Sequence, residues 1–233
     1  MDFEVYIQIH LHVQHQHRSR IFFYSVAGIT GIVIHYQREK EPTLFILFVL
    51  LAADSILFVF AHFQRQKYRN FINTWKNKNP EWEFIFWDDN KLNDFEMINK
   101  DLYNKLNNFG AKSDVARLEI LYQIGGFYLD TDFECLKKID EDLLLNEFIA
   151  GAIFNFFPEL ANGFMAAKPS SEFILKCLED LKKIKGHKFL GNEIIENTGP
   201  LFLTNSFFNY IENKNINVEK MLVLPSNYFY PLP

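Results

Sequence analysis

The segment Ala111-Lys-Ser-Asp-Val-Ala-Arg-Leu-Glu-Ile-Leu-Tyr-Gln-Ile-Gly-Gly-Phe-Tyr-Leu-Asp-Thr-Asp132 decides the fold of this chain. Its first half reads as a helix. Ser113 is a good N-cap, Asp114 falls in the first turn where the helix dipole favours negative charge, and Val115, Leu118, Leu121 or Tyr122, and Ile124 recur as one apolar side. Gly125-Gly126 can take the left-handed backbone that stops a helix. Phe127-Tyr128-Leu129 then reads as a short buried strand. Asp130 and Asp132 follow it, two residues apart, so on extended backbone both carboxylates would point to one side. Adjacent carboxylates raise each other's pKa unless a cation sits beside them. A hard divalent metal fits that need, and a phosphate-bearing substrate is its natural partner.

Working outward, the remaining chain alternates helical and strand-like segments. Tyr68, Phe71, Ile72 and Trp75 form the apolar face of a helix over 67–77, which Pro80 ends. Trp82-Glu-Phe-Ile-Phe-Trp87 is a strand with alternating aromatics, and Asp88-Asp89-Asn90 is a turn. Helical pieces run from there to Phe109. A short helix is expected over Ile139–Leu145, a buried strand over Phe148–Phe154, and an amphipathic, serine-capped helix over Ser170–Ile184. Strands separated by helices indicate an α/β domain built on a mostly parallel sheet.

Composition narrows the class further. A chain of 233 residues accommodates one ordinary domain with an appended segment. The 26 Phe, with frequent Ile, Asn and Lys, point to an AT-rich coding sequence and not to a function. A net charge of -5 argues against a nucleic-acid surface, which needs a basic patch. Cys135 and Cys177 have the spacing of neither a disulfide framework nor a metal site, and read as buried thiols.

The N-terminal part is different in kind. Residues 43–63 are almost wholly apolar and reach the roughly 20 residues that a bilayer-spanning helix needs. Asp54 near its centre opposes this, at about 2.5–3.5 kcal/mol on insertion scales. Basic residues flank both ends, so charge does not set an orientation. The competing reading makes Ser55–Phe63 a core strand. The shorter stretch Ile21–Ile34 reads as signal-like or interfacial. His10, His12, His15 and His17 alternate, but no folded shell of further ligands accompanies them, so a polar tail is the preferred reading. The expected division is therefore 1–66, a hydrophobic region and candidate membrane anchor, and 67–233, the folded domain.

Taken together, S-D-x-x-R-x-x-x-L-x-x-x-G-G-x-Y-x-D-x-D over 113–132 resembles the DXD-containing sugar-nucleotide glycosyltransferases. That group includes yeast initiating mannosyltransferases, inositol-phosphoceramide mannosyltransferases and bacterial and viral capsule enzymes. Three more segments, in order, strengthen the resemblance: Trp75 to Asp89 ending in "WDD", Asn162-Gly-Phe-Met-Ala-Ala167, and Asn197-Thr-Gly-Pro-Leu-Phe-Leu-Thr204. A lone Asp-x-Asp would carry little.

The resemblance implies a GT-A-like nucleotide-sugar-binding fold. It also implies metal-dependent transfer of a sugar, mannose among the candidates, from a nucleoside-diphosphate sugar to a glycan or glycolipid hydroxyl, with retention of configuration. It assigns Asp130 and Asp132 to Mn²⁺ or Mg²⁺, and Asp114, Arg117, Tyr128 and Asp130 to the donor. Asn162, Gly163, Gly199 and Pro200 would line the cleft. No catalytic nucleophile or base is assigned. From spacing alone, Asp114 and Arg117 read first as an intrahelical ion pair. The resembled eukaryotic enzymes are anchored in the Golgi, so the resemblance implies a membrane location, with a cytoplasmic one if 43–63 is not a span.

Two segments of the resembled pattern are not found: a first strand ending in Trp, for which Ile32–His35 and Ile56–Phe60 are the substitutes, and a C-terminal segment with His and Ser-Trp. The expectation is a domain cut short at its C-terminus, with an inactive or fragmentary relative as the alternative reading. A metal-dependent phosphohydrolase, which also places D-x-D after a strand, is the remote alternative; Phe133-Glu134 suits it badly.

Overall fold

The computed structural model describes residues 4–8, 66–154, 158–184, 186, 188–212 and 220–229. The apolar run 43–63, its alternative strand Ser55–Phe63, the stretch Ile21–Ile34 and the four N-terminal histidines lie outside the described residues. Among those described, no helix is long and apolar enough to cross a membrane.

In chain order the elements are strand β1 (Glu4–Gln8), helix α1 (66–78), strand β2 (Glu83–Trp87), helices α2 (Asp89–Asp94), α3 (Lys100–Lys105) and α4 (Phe109–Gln123), and strand β3 (Gly126–Asp130). A 3₁₀ turn over Glu141–Leu145 leads to strands β4 (Phe148–Phe154) and β5 (Pro158–Ala167). Helices α5 (Glu172–Leu181), α6 (Asn192–Asn197) and α7 (Pro200–Glu212) precede strand β6 (Met221–Leu224) and a last 3₁₀ turn over Ser226–Tyr228. The chain divides into two compact units, Met1–Ile9 with Thr74–Pro233, and His10–Asn73.

The first unit is a mixed α/β structure on one six-stranded sheet of order β2-β1-β3-β5-β4-β6. Pairings β1–β2, β1–β3 and β4–β6 are parallel, whereas β3–β5 and β4–β5 are antiparallel. The expectation of a mostly parallel sheet thus holds for three of the five pairings. The antiparallel ones come from β5, which the sequence presented only as a motif. The two substitutes proposed for a first strand, Ile32–His35 and Ile56–Phe60, lie outside the described residues. Among the described residues the parallel neighbour of β3 is β1, in register from Val5 opposite Phe127 to Gln8 opposite Asp130.

One face of the sheet is covered by α4, which packs on β3, β5 and α5, and by α7, which packs on β5 and α5. Tyr128 and Phe148 are fully buried under these helices, with Phe148 edge-on to Phe173 at 4.6 Å between ring centroids. On β3 the neighbouring side chain Phe127 belongs to a second aromatic group, edge-on to Trp82 and tilted against Phe164, which stacks on Phe229. Alternation along the strand sends Tyr128 to one group and Phe127 to the other.

Helix α4 is buried along nearly its whole circumference from Ala111 to Leu121, with Lys112 only partly covered. It starts earlier than expected: Asn108 is the N-cap, its side chain accepting from the Ala111 N–H at 3.2 Å. Ser113 is therefore an interior residue. Glu119, fully buried, accepts from the Ile98 N–H, the Asn99 N–H and the Asn99 amide at 2.9, 2.7 and 3.1 Å, so it holds the start of α3. Asp88 caps α2 through the Lys91 N–H at 2.9 Å, making the anticipated turn the entry to a helix. Ser171 caps α5, one residue later than anticipated. Cys135 and Cys177 are both buried free thiols, and burial pushes both above the ordinary thiol value.

The double-glycine stop behaves as the sequence indicated. Gly125 and Gly126 have φ of 76° and 92°, and the Gly125 N–H closes on the Leu121 carbonyl at 3.0 Å. A Cβ on Gly125 would lie 2.5 Å from Pro169 Cδ and 2.7 Å from Pro169 N, whereas one on Gly191 (φ 56°) would meet nothing within 4 Å. Gly125→Ala should therefore lose about 1–2 kcal/mol for its left-handed backbone and about 1–3 kcal/mol more for the clash. Gly191→Ala should carry only the first cost. Equal urea-unfolding free energies for the two variants would contradict this account of the helix stop.

Candidate functional site

Burying an arginine requires that its N–H fork be satisfied by protein groups, because an unpaired buried charge is costly. Arg117 on α4 is 5% exposed, and three segments, α4, β3 and β5, supply its partners. Its Nε donates to the Ser113 carbonyl at 3.2 Å, and Nη2 donates to Ser113 Oγ at 2.9 Å. Nη2 also lies 3.3 Å from Asp114 Oδ1 and 3.6 Å from Asp130 Oδ1. Nη1 donates to the Asn162 carbonyl. The guanidinium sits over the Tyr128 ring, 4.6 Å from its centroid.

Asp114 is the second node. Its Oδ1 accepts from the Asn162 amide at 2.8 Å and its Oδ2 from the Thr198 hydroxyl at 2.9 Å. Burial pushes this carboxyl above its ordinary value; the Arg117 charge and the bonds from Thr198 and Asn162 oppose that shift. The intrahelical pair expected from the i, i+3 spacing is real, and it is also the junction of α4 with β5 and with the start of α7.

Asn162 can serve both nodes because the sheet is irregular there. The β4–β5 ladder shifts register between Ala150, opposite Met165, and Gly151, opposite Ala161. Asn162-Gly163-Phe164 is thus left out of pairing with β4, which frees the Asn162 carbonyl for Arg117. Bulges commonly re-aim a residue in this way beside functional sites.

Tyr128 donates from its hydroxyl to Asp130 Oδ1 at 2.8 Å and lies 3.4 Å from Ser113 Oγ. It is fully buried, and burial holds its hydroxyl well above the ordinary phenol value, so it remains a donor through the neutral range. Asp130 is therefore gripped on Oδ1 from within, while its side chain is 31% exposed at the end of β3. Asp132 is exposed but does not continue the strand. β3 ends at Asp130, and the Phe133 N–H turns back onto the Asp130 carbonyl at 3.2 Å. The extended-backbone argument for two carboxylates on one side is corrected here: a turn carries Asp132.

Of the remaining expected cleft residues, Gly163 lies in the bulge and Pro200 starts α7. Gly199 allows a close approach, since a Cβ there would lie 3.0 Å from Ile195 Cα. Thr198 and Ser113 were not singled out for the site. The first stood inside a motif read for its glycine and proline, and the second was read as a cap. Trp87 is buried against Phe95 at 4.8 Å.

Residues 65–150 match the family described as glycosyltransferase sugar-binding region containing a DXD motif. The match takes in α4, β3 and the turn bearing Asp132. The chain is 28% identical over 170 residues to inositol phosphoceramide mannosyltransferase 1 of Schizosaccharomyces pombe, covering 69% of this chain and 51% of the relative. It is 30% identical over 125 residues to lactosylceramide 4-alpha-galactosyltransferase of Mus musculus, covering 52% and 32%. The chain therefore spans about half the length of the first relative and a third of the second. Among solved structures, a glycosyltransferase titled PaToxG matches with a TM-score of 0.46 and 16% identity, over 63% of this chain and 64% of that one.

The chemistry of the donor set fits a hard divalent cation in part. Asp130 and Asp132 offer carboxylate oxygens at the outer end of β3. No group of three or more His, Cys, Asp or Glu suited to a metal occurs among the described residues. Two carboxylates with the other positions left to substrate phosphates and water is a pattern Mg²⁺-like ions accept.

Thr198→Val keeps the side-chain shape but leaves Asp114 Oδ2 without this donor. Loss of such a buried partner should cost about 1–3 kcal/mol in unfolding free energy. Unchanged stability in urea titration would show that the bond from α7's start to α4 does not hold the site together.

Proposed function

We propose that the chain transfers a sugar from a nucleoside-diphosphate sugar to a hydroxyl of a glycan or glycolipid, with retention of configuration and dependence on Mn²⁺ or Mg²⁺. The observation that carries this reading is the convergence of all the DXD-family segments from α4 onward on one buried network, Asp114–Arg117–Asp130 with Asn162 and Thr198. A mannosyl donor is favoured by the mannosyltransferase relative, and a glycolipid acceptor by the ceramide glycolipids in the names of both relatives.

In this reading Asp130 and Asp132 hold the cation. When bound, it neutralises the negative charge left on the departing diphosphate. Asp130 enters that role already oriented, because Tyr128 and Arg117 occupy Oδ1. Asp114 and Arg117, almost fully buried and partnered by the protein, form the floor that shapes the donor-sugar site, with Asn162 beside them. Tyr128 is reassigned. Its full burial fits support of Asp130 better than contact with the donor. No side chain is assigned as nucleophile. The acceptor hydroxyl attacks the anomeric carbon from the face the diphosphate leaves, and its proton passes to the departing phosphate oxygen. One carbon–oxygen bond breaks and one forms on the same face.

Asp132→Asn should abolish Mn²⁺-dependent binding of a sugar nucleotide while leaving the fold intact, since Asp132 is exposed. Calorimetry with GDP-mannose, and with UDP-galactose in parallel, reads this directly. Retained affinity with unchanged metal dependence would remove Asp132 from the site and the reading with it.

A further inference from the structure

The turn that presents Asp132 is held from behind by a part of the chain to which no function has been given above. Trp75, on α1 and 6% exposed, donates its indole N–H to the Phe133 carbonyl at 2.8 Å. The Phe133 N–H is already bound to the Asp130 carbonyl at 3.2 Å. Both ends of the residue that follows Asp132 are therefore fixed, one by the end of β3 and one by Trp75. Two neighbours on the same side extend the hold. Thr74 Oγ1 accepts from the Cys135 N–H at 2.8 Å, and Asn79 Oδ1 accepts from the Ile139 N–H at 2.8 Å, with Asn79 itself fully buried.

From this we infer that Trp75 is a positioning residue for the acidic turn: its indole N–H sets where the Asp132 backbone stands relative to Asp130. Asp130 is oriented through its side chain by Tyr128 and Arg117. Asp132 is exposed and follows the strand, and the peptide groups of the next residue are held at both the N–H and the carbonyl. A two-carboxylate cation site needs both settings, because a divalent ion tolerates little variation in the separation of its ligands. The inference rests on the reading of Asp132 as a cation ligand given above. It adds that cation affinity is tuned from α1, at a residue that touches neither cation nor donor. Partners that orient metal ligands from one shell out commonly govern affinity by 10–100-fold.

Trp75→Phe keeps an aromatic ring in place and deletes the indole N–H together with part of the buried ring volume, which is why its unfolding is measured alongside. The test measures Mn²⁺ affinity of the full chain at saturating GDP-mannose or UDP-galactose, whichever binds, beside urea unfolding of the same variant. The expected result is Mn²⁺ affinity weaker by about 10-fold or more, with metal dependence retained. Asp132→Asn, run in parallel, should lose that dependence altogether. Wild-type Mn²⁺ affinity in folded Trp75→Phe, with Asp132→Asn inactive in binding, would overturn the role of Trp75 and leave the functional reading standing. No effect in either variant would overturn both. If Trp75→Phe does not fold, Thr74→Val replaces it: it removes the Cys135 bond from the same helix end and should weaken Mn²⁺ binding in the same direction. Undiminished binding there would equally refute positioning from α1.

Discussion

The structure depends on burying one guanidinium. Arg117 lies almost wholly out of water on a helix that is itself enclosed, and its charge is tolerable only if the fork is filled. Filling it recruits a hydroxyl and a carbonyl from its own helix, a carboxylate one turn before it, a second carboxylate from the end of β3, and a backbone carbonyl released by the bulge in β5. Asp114 transmits the demand further, to Thr198 at the mouth of α7. Elements distant in sequence are thereby forced to one place, and that place is the outer end of β3.

This explains why the two aspartates of the motif are not equivalent. Asp130 is the last residue of a strand, with one oxygen held by Tyr128 and the side chain partly exposed. Asp132 belongs to a turn whose peptide groups are tied to β3 and to α1. The flanking sequence serves both: the double glycine sets where β3 begins, and β3 is just long enough to bring Tyr128 under Arg117 and Asp130 to the rim.

Much of this was legible before the structure. Helix, glycine stop, strand and acidic pair were each specified by local chemistry, and the positive φ of Gly125 and Gly126 is the conformation that pattern demands. The errors have physical causes. Ser113 is a good capping residue, but Asn108 upstream is equally good, and the local pattern could not tell that the helix would be enclosed for another turn. Two-residue alternation places Asp130 and Asp132 together only on a strand, and the i to i+3 closure at Phe133 ends the strand between them. Thr198 was passed over because a threonine beside Gly-Pro reads as a loop residue until a buried carboxylate 84 positions earlier is found against it. The strand Glu4–Gln8 was not read from the sequence, because it is short and polar at its ends and is identified by its pairing on both sides.

The central claim is that the buried guanidinium couples these segments into one unit. Hydrogen–deuterium exchange on Arg117→Lys tests it most directly, because lysine keeps the charge and much of the length but lacks the planar fork. The account predicts that protection falls together in peptides covering 126–132, 158–165 and 194–200, although none of them contains the substitution. Loss of protection confined to helix 109–123, with the other three peptides exchanging as in the wild type, would contradict it.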